Sequence, residues 1–248
     1  MTPRALDIGG RSLSYVLEGE GEPVVLLLAG HRTPMASWDA VWPMLTAGAR
    51  VLAYDRPGTG ASDPADAPQD GLAVLATLDT LLERLAIDGP VVIVAHSLGG
   101  LYADLYARTR PERVAGMVLV DAAHPDEAEP LPVAGDFVRR LLRRLTGRGF
   151  MDDPYSEFRG VPATVAQIGA AGPFPVIPLR VVTGGRQMPY VPRVAFEKHR
   201  EAQRKLVALS PLGERVIAEK SGHMPQISEP ELVSQVVMDL CASVKGSG

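Results

Sequence analysis

The sequence has few of the features that mark secreted, membrane-bound or nucleic-acid-binding proteins. It contains one cysteine, Cys241, so no disulfide can form within the chain. Its longest apolar runs, at residues 24–29 and 91–95, are far shorter than the ~20 residues of a transmembrane helix. The first four residues lack the apolar core of a signal peptide. We therefore expect a soluble, cytoplasmic protein without stable membrane insertion.

An excess of charge is also absent. The 25 basic and 29 acidic residues leave a net charge of −4, which argues against a nucleic-acid partner bound through bulk positive charge. The five histidines are scattered without metal-ligand spacing, and no glycine-rich phosphate loop follows a strand. The sequence therefore predicts neither a metal nor a cofactor.

Short apolar runs alternate along the chain with longer segments of helical period. The predicted strands span residues 11–17, 23–28, 50–54, 91–95, 114–121, 177–183 and 214–218. The predicted helices span residues 37–47, 72–85, 98–109, 193–209 and 229–244. Continuous apolar strands are typical of parallel sheets buried on both faces. The alternation predicts an α/β fold with a mostly parallel, doubly wound sheet and helices on both faces.

One stretch, residues 125–175, has no convincing strand and is interrupted by prolines and glycines. We predict a core domain from residues 1–124 and 176–248, with 125–175 inserted as a lid or cap over the carboxyl edge of the sheet. The alternative is a long surface connection. A short amphipathic helix is predicted over residues 137–145. Five arginines in and just after this helix form either a basic patch for an anionic ligand or a solvated face: Arg139, Arg140, Arg143, Arg144 and Arg148.

Ser97 carries the strongest local signal, because it lies between a buried strand and a helix. Ala95 and Gly99 are small residues at the second position on either side, which lets strand and helix approach closely. The serine oxygen would project above the sheet beside the free N–H groups of the helix N-terminus. The alternative is that Ser97 only caps the helix.

The segment AHSLG at residues 95–99 resembles the nucleophile elbow Gly-x-Ser-x-Gly of the α/β-hydrolase family, with Ala95 in place of the first glycine. The segment DRPGTGAS at residues 55–62 resembles the family's Asp-Arg-x-Gly-x-Gly-x-Ser turn, to which we assign a structural role. The resemblance extends over nearly the whole chain. It implies the α/β-hydrolase fold and a serine nucleophile at Ser97.

The same resemblance indicates the base. The segment SGHMP at residues 221–225 follows the last strand and matches the family's Gly-His loop, so His223 is the expected base. His199 lies in a predicted helix between Lys198 and Arg200, and we expect it to be a solvated surface residue.

The acid is harder to place. The family usually has Asp or Glu in the loop after the strand at 177–183, where this chain has Gln187. Glutamine can hold a histidine tautomer but supplies no negative charge. Asp121, at the end of the preceding core strand, is the expected acid, as in some relatives that include haloalkane dehalogenases. The alternatives are a dyad without an acid and another carboxylate such as Asp126.

The resemblance also implies an oxyanion hole formed by the backbone N–H groups of Leu98 and His31. The His31 side chain would have a structural or substrate-facing role. Together these residues predict a serine hydrolase that cleaves an ester, thioester or lactone of a small-molecule acyl substrate. The alternatives are an acyltransferase, cyclase or perhydrolase with the same triad, or a ligand-binding protein without activity. The sequence indicates neither the acyl chain length nor the oligomeric state.

Overall fold

Eight strands form a single sheet in the computed structural model, which describes residues 1–127, 155–189 and 191–245. The strands are β1 (Arg4–Asp7), β2 (Ser12–Glu18), β3 (Val24–Leu28), β4 (Val51–Tyr54), β5 (Val91–His96), β6 (Val114–Val120), β7 (Leu179–Gly184) and β8 (Gly213–Ala218). Their order across the sheet is β1-β2-β4-β3-β5-β6-β7-β8. β2 pairs antiparallel with β1 and β4, and the remaining pairs are parallel.

Helices cover both faces of this sheet. They are α1 (Trp42–Thr46), α2 (Gly71–Arg84), α3 (Gly99–Thr109), α4 (Glu157–Ala170), α5 (Arg193–Val207), α6 (Pro225–Ser228) and α7 (Pro230–Lys245). Short 3₁₀ turns occupy Met35–Trp38, Pro111–Arg113 and Pro125–Glu127. No helix within these described ranges is both long enough and apolar enough to cross a membrane.

The central strands explain the continuous apolar runs of the sequence. In β5, Val91 and Ile93 belong to the core cluster that includes residues of α2 and α3. The intervening Val92 and Val94 belong to the cluster that includes residues of α1 and α7. Because successive side chains of a strand point to opposite faces, a strand buried on both faces needs apolar residues throughout. The predicted doubly wound α/β architecture is therefore confirmed.

Most predicted boundaries lie within two residues of the observed ones, and four elements differ, among them the four-residue α6, which was not predicted. β1 was not predicted, since its four residues are mostly exposed and are held by pairing with β2. The helix predicted over 37–47 is divided into a 3₁₀ turn and α1. The reason is Pro43, which lies in the first turn of α1, where a missing N–H costs nothing. α4 was also missed.

α4 lies in the segment predicted to be a lid, and it packs against α2 and α3. Its Pro162 is the reason the sequence did not suggest a helix there. The helix predicted over 137–145 and the five arginines lie outside the described residues. The division into a core and a lid over 125–175 stays a prediction.

Candidate functional site

Ser97 lies in a tight turn between β5 and α3. Its φ of 51° is in the left-handed region, which is strained for a residue with a side chain. The Ser97 carbonyl accepts hydrogen bonds from the backbone N–H groups of Gly100 and Ala123, both at 2.9 Å. A Cβ on Gly99 would lie 2.5 Å from the Leu28 carbonyl oxygen, so only glycine lets α3 start this close to β3. The turn therefore presents Ser97 at the carboxyl edge of the sheet.

His223, in the loop between β8 and α6, connects Ser97 to Asp121. Its Nε2 lies 3.0 Å from Ser97 Oγ, and its Nδ1 lies 2.8 Å from Asp121 Oδ2. In the tautomer that satisfies both contacts, Nδ1–H donates to the carboxylate and the serine hydroxyl donates to Nε2. The His223 side chain is 53% exposed, whereas that of Asp121 is 4% exposed. The hydrogen-bonded chain thus runs from a buried carboxylate to an accessible hydroxyl.

Asp121 follows β6 directly, and the sheet fixes its position. Its backbone N–H donates to the Val182 carbonyl at 2.7 Å, and its Oδ1 accepts from the Gly184 N–H at 2.8 Å. Burial alone would raise the pKa of Asp121, but the close contacts and charges of His199 and His223 outweigh it and hold that pKa below its usual value. The carboxylate is therefore ionised at neutral pH.

Gln187 has a different contact. Its side-chain amide donates to the Val191 carbonyl at 2.9 Å, while His223 Nδ1 bonds to Asp121. The side chain at the position where the family usually has its acid therefore does not bind His223.

His199 is not the solvated surface residue that its position between Lys198 and Arg200 predicted. Its side chain is only 22% exposed, with Nδ1 at 2.7 Å from Glu127 Oε1 and Nε2 at 3.1 Å from Asp121 Oδ1. Burial lowers the pKa of His199, but Asp121 and Glu127 outweigh it and raise that pKa to about 10. Its spacing to the buried residues Ala202 and Leu206 would have placed it on the inner face of α5.

His96 is a second histidine whose role the sequence did not reveal. The buried ring donates through Nε2 to the His223 carbonyl at 2.7 Å. Burial, followed by the charge of His223, lowers the pKa of His96 to about 4, so the ring is neutral near pH 7. The residue before Ser97 thus holds the loop that carries His223.

The loop that contains His31 lies against Ser97. A Cβ on Gly30 would be 3.1 Å from Ser97 Cβ and 3.0 Å from His96 Nδ1. Arg56 fixes this loop by donating to the carbonyls of Ala29 at 2.8 Å and Gly30 at 2.7 Å. Leu98, at the other side of Ser97, is buried at the start of α3. The segments of the two expected oxyanion donors therefore flank the serine.

Glu157 completes the contacts of Arg56. Both side chains are buried, and the Glu157 carboxylate accepts two hydrogen bonds from the guanidinium, one of them from Nη2 at 3.2 Å. Glu157 Oε2 also lies 3.5 Å from His31 Nδ1. Burial would raise the pKa of Glu157, but the charge of Arg56 and the contacts of His31 lower it to about 2. A carboxylate from the start of α4 thus supports the loop beside Ser97.

The turn at residues 55–62 has the structural role expected of it. Asp55 accepts hydrogen bonds from the backbone N–H groups of Met35 at 2.7 Å and Ala61 at 3.0 Å.

Among residues 1–127, 155–189 and 191–245, no group of three histidine, cysteine, aspartate or glutamate side chains is arranged to hold a metal ion.

One family model matches most of the chain. The model described as "Alpha/beta hydrolase family" matches residues 25–236. A cis-3-alkyl-4-alkyloxetan-2-one decarboxylase of Shewanella oneidensis is 32% identical over 155 residues, which are 58% of this chain and 47% of that protein. The chain spans about half the length, or less, of the first curated relatives it matches.

Two solved structures have the same fold. A putative lipase from Acinetobacter baumannii superposes with a TM-score of 0.72 at 21% identity, covering 100% of this chain and 93% of that one. A thermophilic esterase from Thermogutta terrifontis gives a TM-score of 0.69 at 21% identity, with 98% and 99% covered.

Proposed function

The chain belongs to the alpha/beta hydrolase family, and we propose that it is a serine hydrolase that cleaves a carboxylic ester, thioester or lactone. The observation that carries this proposal is the chain of contacts from Ser97 Oγ through His223 to Asp121, at 3.0 and 2.8 Å. These are hydrogen-bond distances between a nucleophile, a base and the group that orients the base.

The first half of the proposed reaction forms an acyl-enzyme. His223 Nε2 removes the proton from Ser97 Oγ as this oxygen attacks the acyl carbonyl. The backbone N–H groups of His31 and Leu98 stabilise the negative charge that develops on the carbonyl oxygen. His223 then gives its proton to the leaving alcohol, thiol or ring oxygen, and the bond from the acyl carbon to that atom breaks.

The second half uses water. His223 removes a proton from a water molecule, whose oxygen attacks the acyl carbon, and returns the proton to Ser97 Oγ as the acid product leaves. Asp121 stays ionised throughout and stabilises the imidazolium form of His223. Its depressed pKa supports this role, since the carboxylate keeps its charge over the working range of the base.

Transfer of the acyl group to another acceptor is the alternative outcome of the same intermediate. The His223 side chain is half-exposed, which favours hydrolysis because solvent water has access to the ring. The substrate we propose is a small acyl compound. Lactones are included because one relative is named for an oxetan-2-one, a four-membered lactone. Cytoplasmic location and the lack of a nucleic-acid partner stay predictions from composition.

The test is hydrolysis of p-nitrophenyl esters from acetate to decanoate by wild type, Ser97→Ala, Asp121→Asn and Gln187→Ala. We expect Ser97→Ala to abolish turnover and Asp121→Asn to reduce kcat by about 10³–10⁴, as for the acid of other triads. Gln187→Ala is the matched control and leaves kcat within about twofold, since its side chain contacts Val191 rather than His223. Turnover that is indifferent to Ser97→Ala contradicts the proposal.

A further inference from the structure

The carboxylate of Asp121 has two imidazole partners, although a serine, histidine and acid triad requires one. Oδ2 contacts His223 Nδ1 at 2.8 Å, and Oδ1 contacts His199 Nε2 at 3.1 Å. The two rings lie 6.4 Å apart between centroids, with an interplanar angle of 78°. His199 is therefore close enough to affect the charge on the base through the shared carboxylate and across space.

Glu127 contacts the other nitrogen of His199. Its Oε1 lies 2.7 Å from His199 Nδ1, and its Oε2 accepts from the backbone N–H of His124 at 3.1 Å. A ring whose two nitrogens both face carboxylates is stabilised as the imidazolium, which agrees with the raised pKa of His199. Asp121, His199 and Glu127 together then carry a net charge of about −1.

The other charged groups around His199 are either exposed to solvent or paired elsewhere. On α5, Lys198 is exposed and Arg200 lies 3.8 Å from Glu197. On the 3₁₀ turn that faces α5, Asp126 pairs with Lys205 at 2.5 Å. The loop before α6 contributes His223 itself. The closest opposite charges to the His199 ring are therefore the two carboxylates that it bridges.

We propose that His199 is a positioning residue. Its cation holds Oδ1 of Asp121, so that Oδ2 faces His223. The same cation opposes a second positive charge on the His223 ring. The inference rests on the proposed function, because it assigns to His199 the setting of the pH range in which His223 acts as the base. The carboxylate of Glu127 partly offsets the field of the His199 cation at His223, while His199 also has Asp121 as a carboxylate partner.

The charges of His199 and Glu127 predict shifts of opposite sign. Removing the cation in His199→Gln makes protonation of His223 easier, so the acidic limb of the kcat/KM profile moves to higher pH. A unit charge at 6.4 Å, with an effective dielectric constant between 80 and 20, gives a shift of roughly 0.5–2 pH units. Removing the anion in Glu127→Gln moves the limb to lower pH.

The experiment compares pH–rate profiles of wild type, His199→Gln, His199→Lys and Glu127→Gln on the best p-nitrophenyl ester. His199→Lys retains a cation and keeps its limb nearer to wild type than His199→Gln does. Lys198→Gln is the matched control, because it removes an exposed cation from the adjacent position of α5, and it leaves the limb within roughly 0.2 pH units. The proposal is overturned if the acidic limb of His199→Gln coincides with that of wild type. It is also overturned if the limbs of His199→Gln and Glu127→Gln shift in the same direction.

A second measurement needs no substrate. In protein labelled with ¹⁵N-histidine, the ring nitrogens of His223 report its titration directly, and the midpoint moves to higher pH in His199→Gln by the same amount as the kinetic limb. If wild type has no turnover that depends on Ser97, the proposed function fails while this titration still tests His199. An unchanged midpoint in the folded variant refutes the inference even where esterase activity is present.

Discussion

Replacement of Glu157 by glutamine tests the buried ion pair that supports the loop beside Ser97. Arg56 and Glu157 are 2% and 5% exposed, and Arg56 also donates to the carbonyls of Ala29 and Gly30. Glu157→Gln keeps the size of the side chain and removes its charge. The guanidinium of Arg56 is then left buried without a counter-charge, a state that is costly in a low-dielectric interior.

Two estimates of the cost agree. Removing one partner of a buried ion pair destabilises a protein by about 3–5 kcal/mol. Independently, the contacts of Glu157 lower its pKa from 4.5 to about 2, which corresponds to roughly 3 kcal/mol of stabilisation of the charged form. We therefore expect Glu157→Gln to lower the free energy of unfolding by about 3 kcal/mol, or Tm by about 6–12 °C for a chain of this size.

Urea unfolding at pH 7, with calorimetry for Tm, measures this difference. Glu214→Gln is the matched control, because Glu214 pairs with Arg180 at 3.3 Å and its side chain is 67% exposed, so its loss costs about 0–1 kcal/mol. Because the folded pKa of Glu157 is depressed, its contribution is complete above pH 4.5 and is lost as the pH falls through about 2. The reasoning is refuted if Glu157→Gln is no more destabilising than Glu214→Gln at pH 7.

Three further predictions concern other positions. Gly99→Ala places a Cβ 2.5 Å from the Leu28 carbonyl oxygen and should lower the free energy of unfolding in urea by at least about 1–3 kcal/mol. Gly169→Ala, in open space within α4, should instead stabilise the protein by about 0.5–1 kcal/mol. Equal effects of the two substitutions would contradict the packing argument. The raised pKa of His199 predicts a stability contribution that is complete below pH 6.5 and lost as the pH rises through about 10. In urea unfolding, the difference in unfolding free energy between wild type and His199→Gln, roughly 5 kcal/mol at most, should shrink from pH 7 to pH 10.5. A difference that stays constant with pH would contradict this prediction. Burial raises the pKa of Cys241 to about 11, so Ellman's reagent should react with it only after unfolding in urea, and rapid reaction at pH 8 in the native protein would contradict its burial.

The sequence predicted the sheet well because its central strands are long apolar runs between helical segments. The motifs that resemble the α/β-hydrolase family indicated Ser97, His223 and Asp121, and the structure brings their side chains together. Each follows a strand of the sheet directly or within a short loop, and the carboxyl ends of parallel strands meet at one edge. Sheet geometry explains why these three side chains lie near one another, whereas the choice of His223 and Asp121 came from the resemblance to the α/β-hydrolase family.

The contacts that sequence reasoning missed join distant parts of the chain. Glu157 is 101 residues from Arg56, and His199 is 72 residues from Glu127. A charged side chain in a polar segment has the same local pattern whether it faces water or a buried partner. Pairings of this kind depend on how α4 and α5 pack on the sheet, which hydrophobic periodicity describes only as a buried face.

The ring of His96 lies where three separate loops meet. It lies beside Gly30, precedes Ser97 and binds the carbonyl of His223, so the spacing among these segments depends on one neutral side chain. Because the pKa of His96 is lowered from 6.5 to about 4, the stability it contributes is present above pH 6.5 and declines as the pH falls toward 4. Protonation of His96 as the pH falls therefore places a buried charge at the point where all three segments meet.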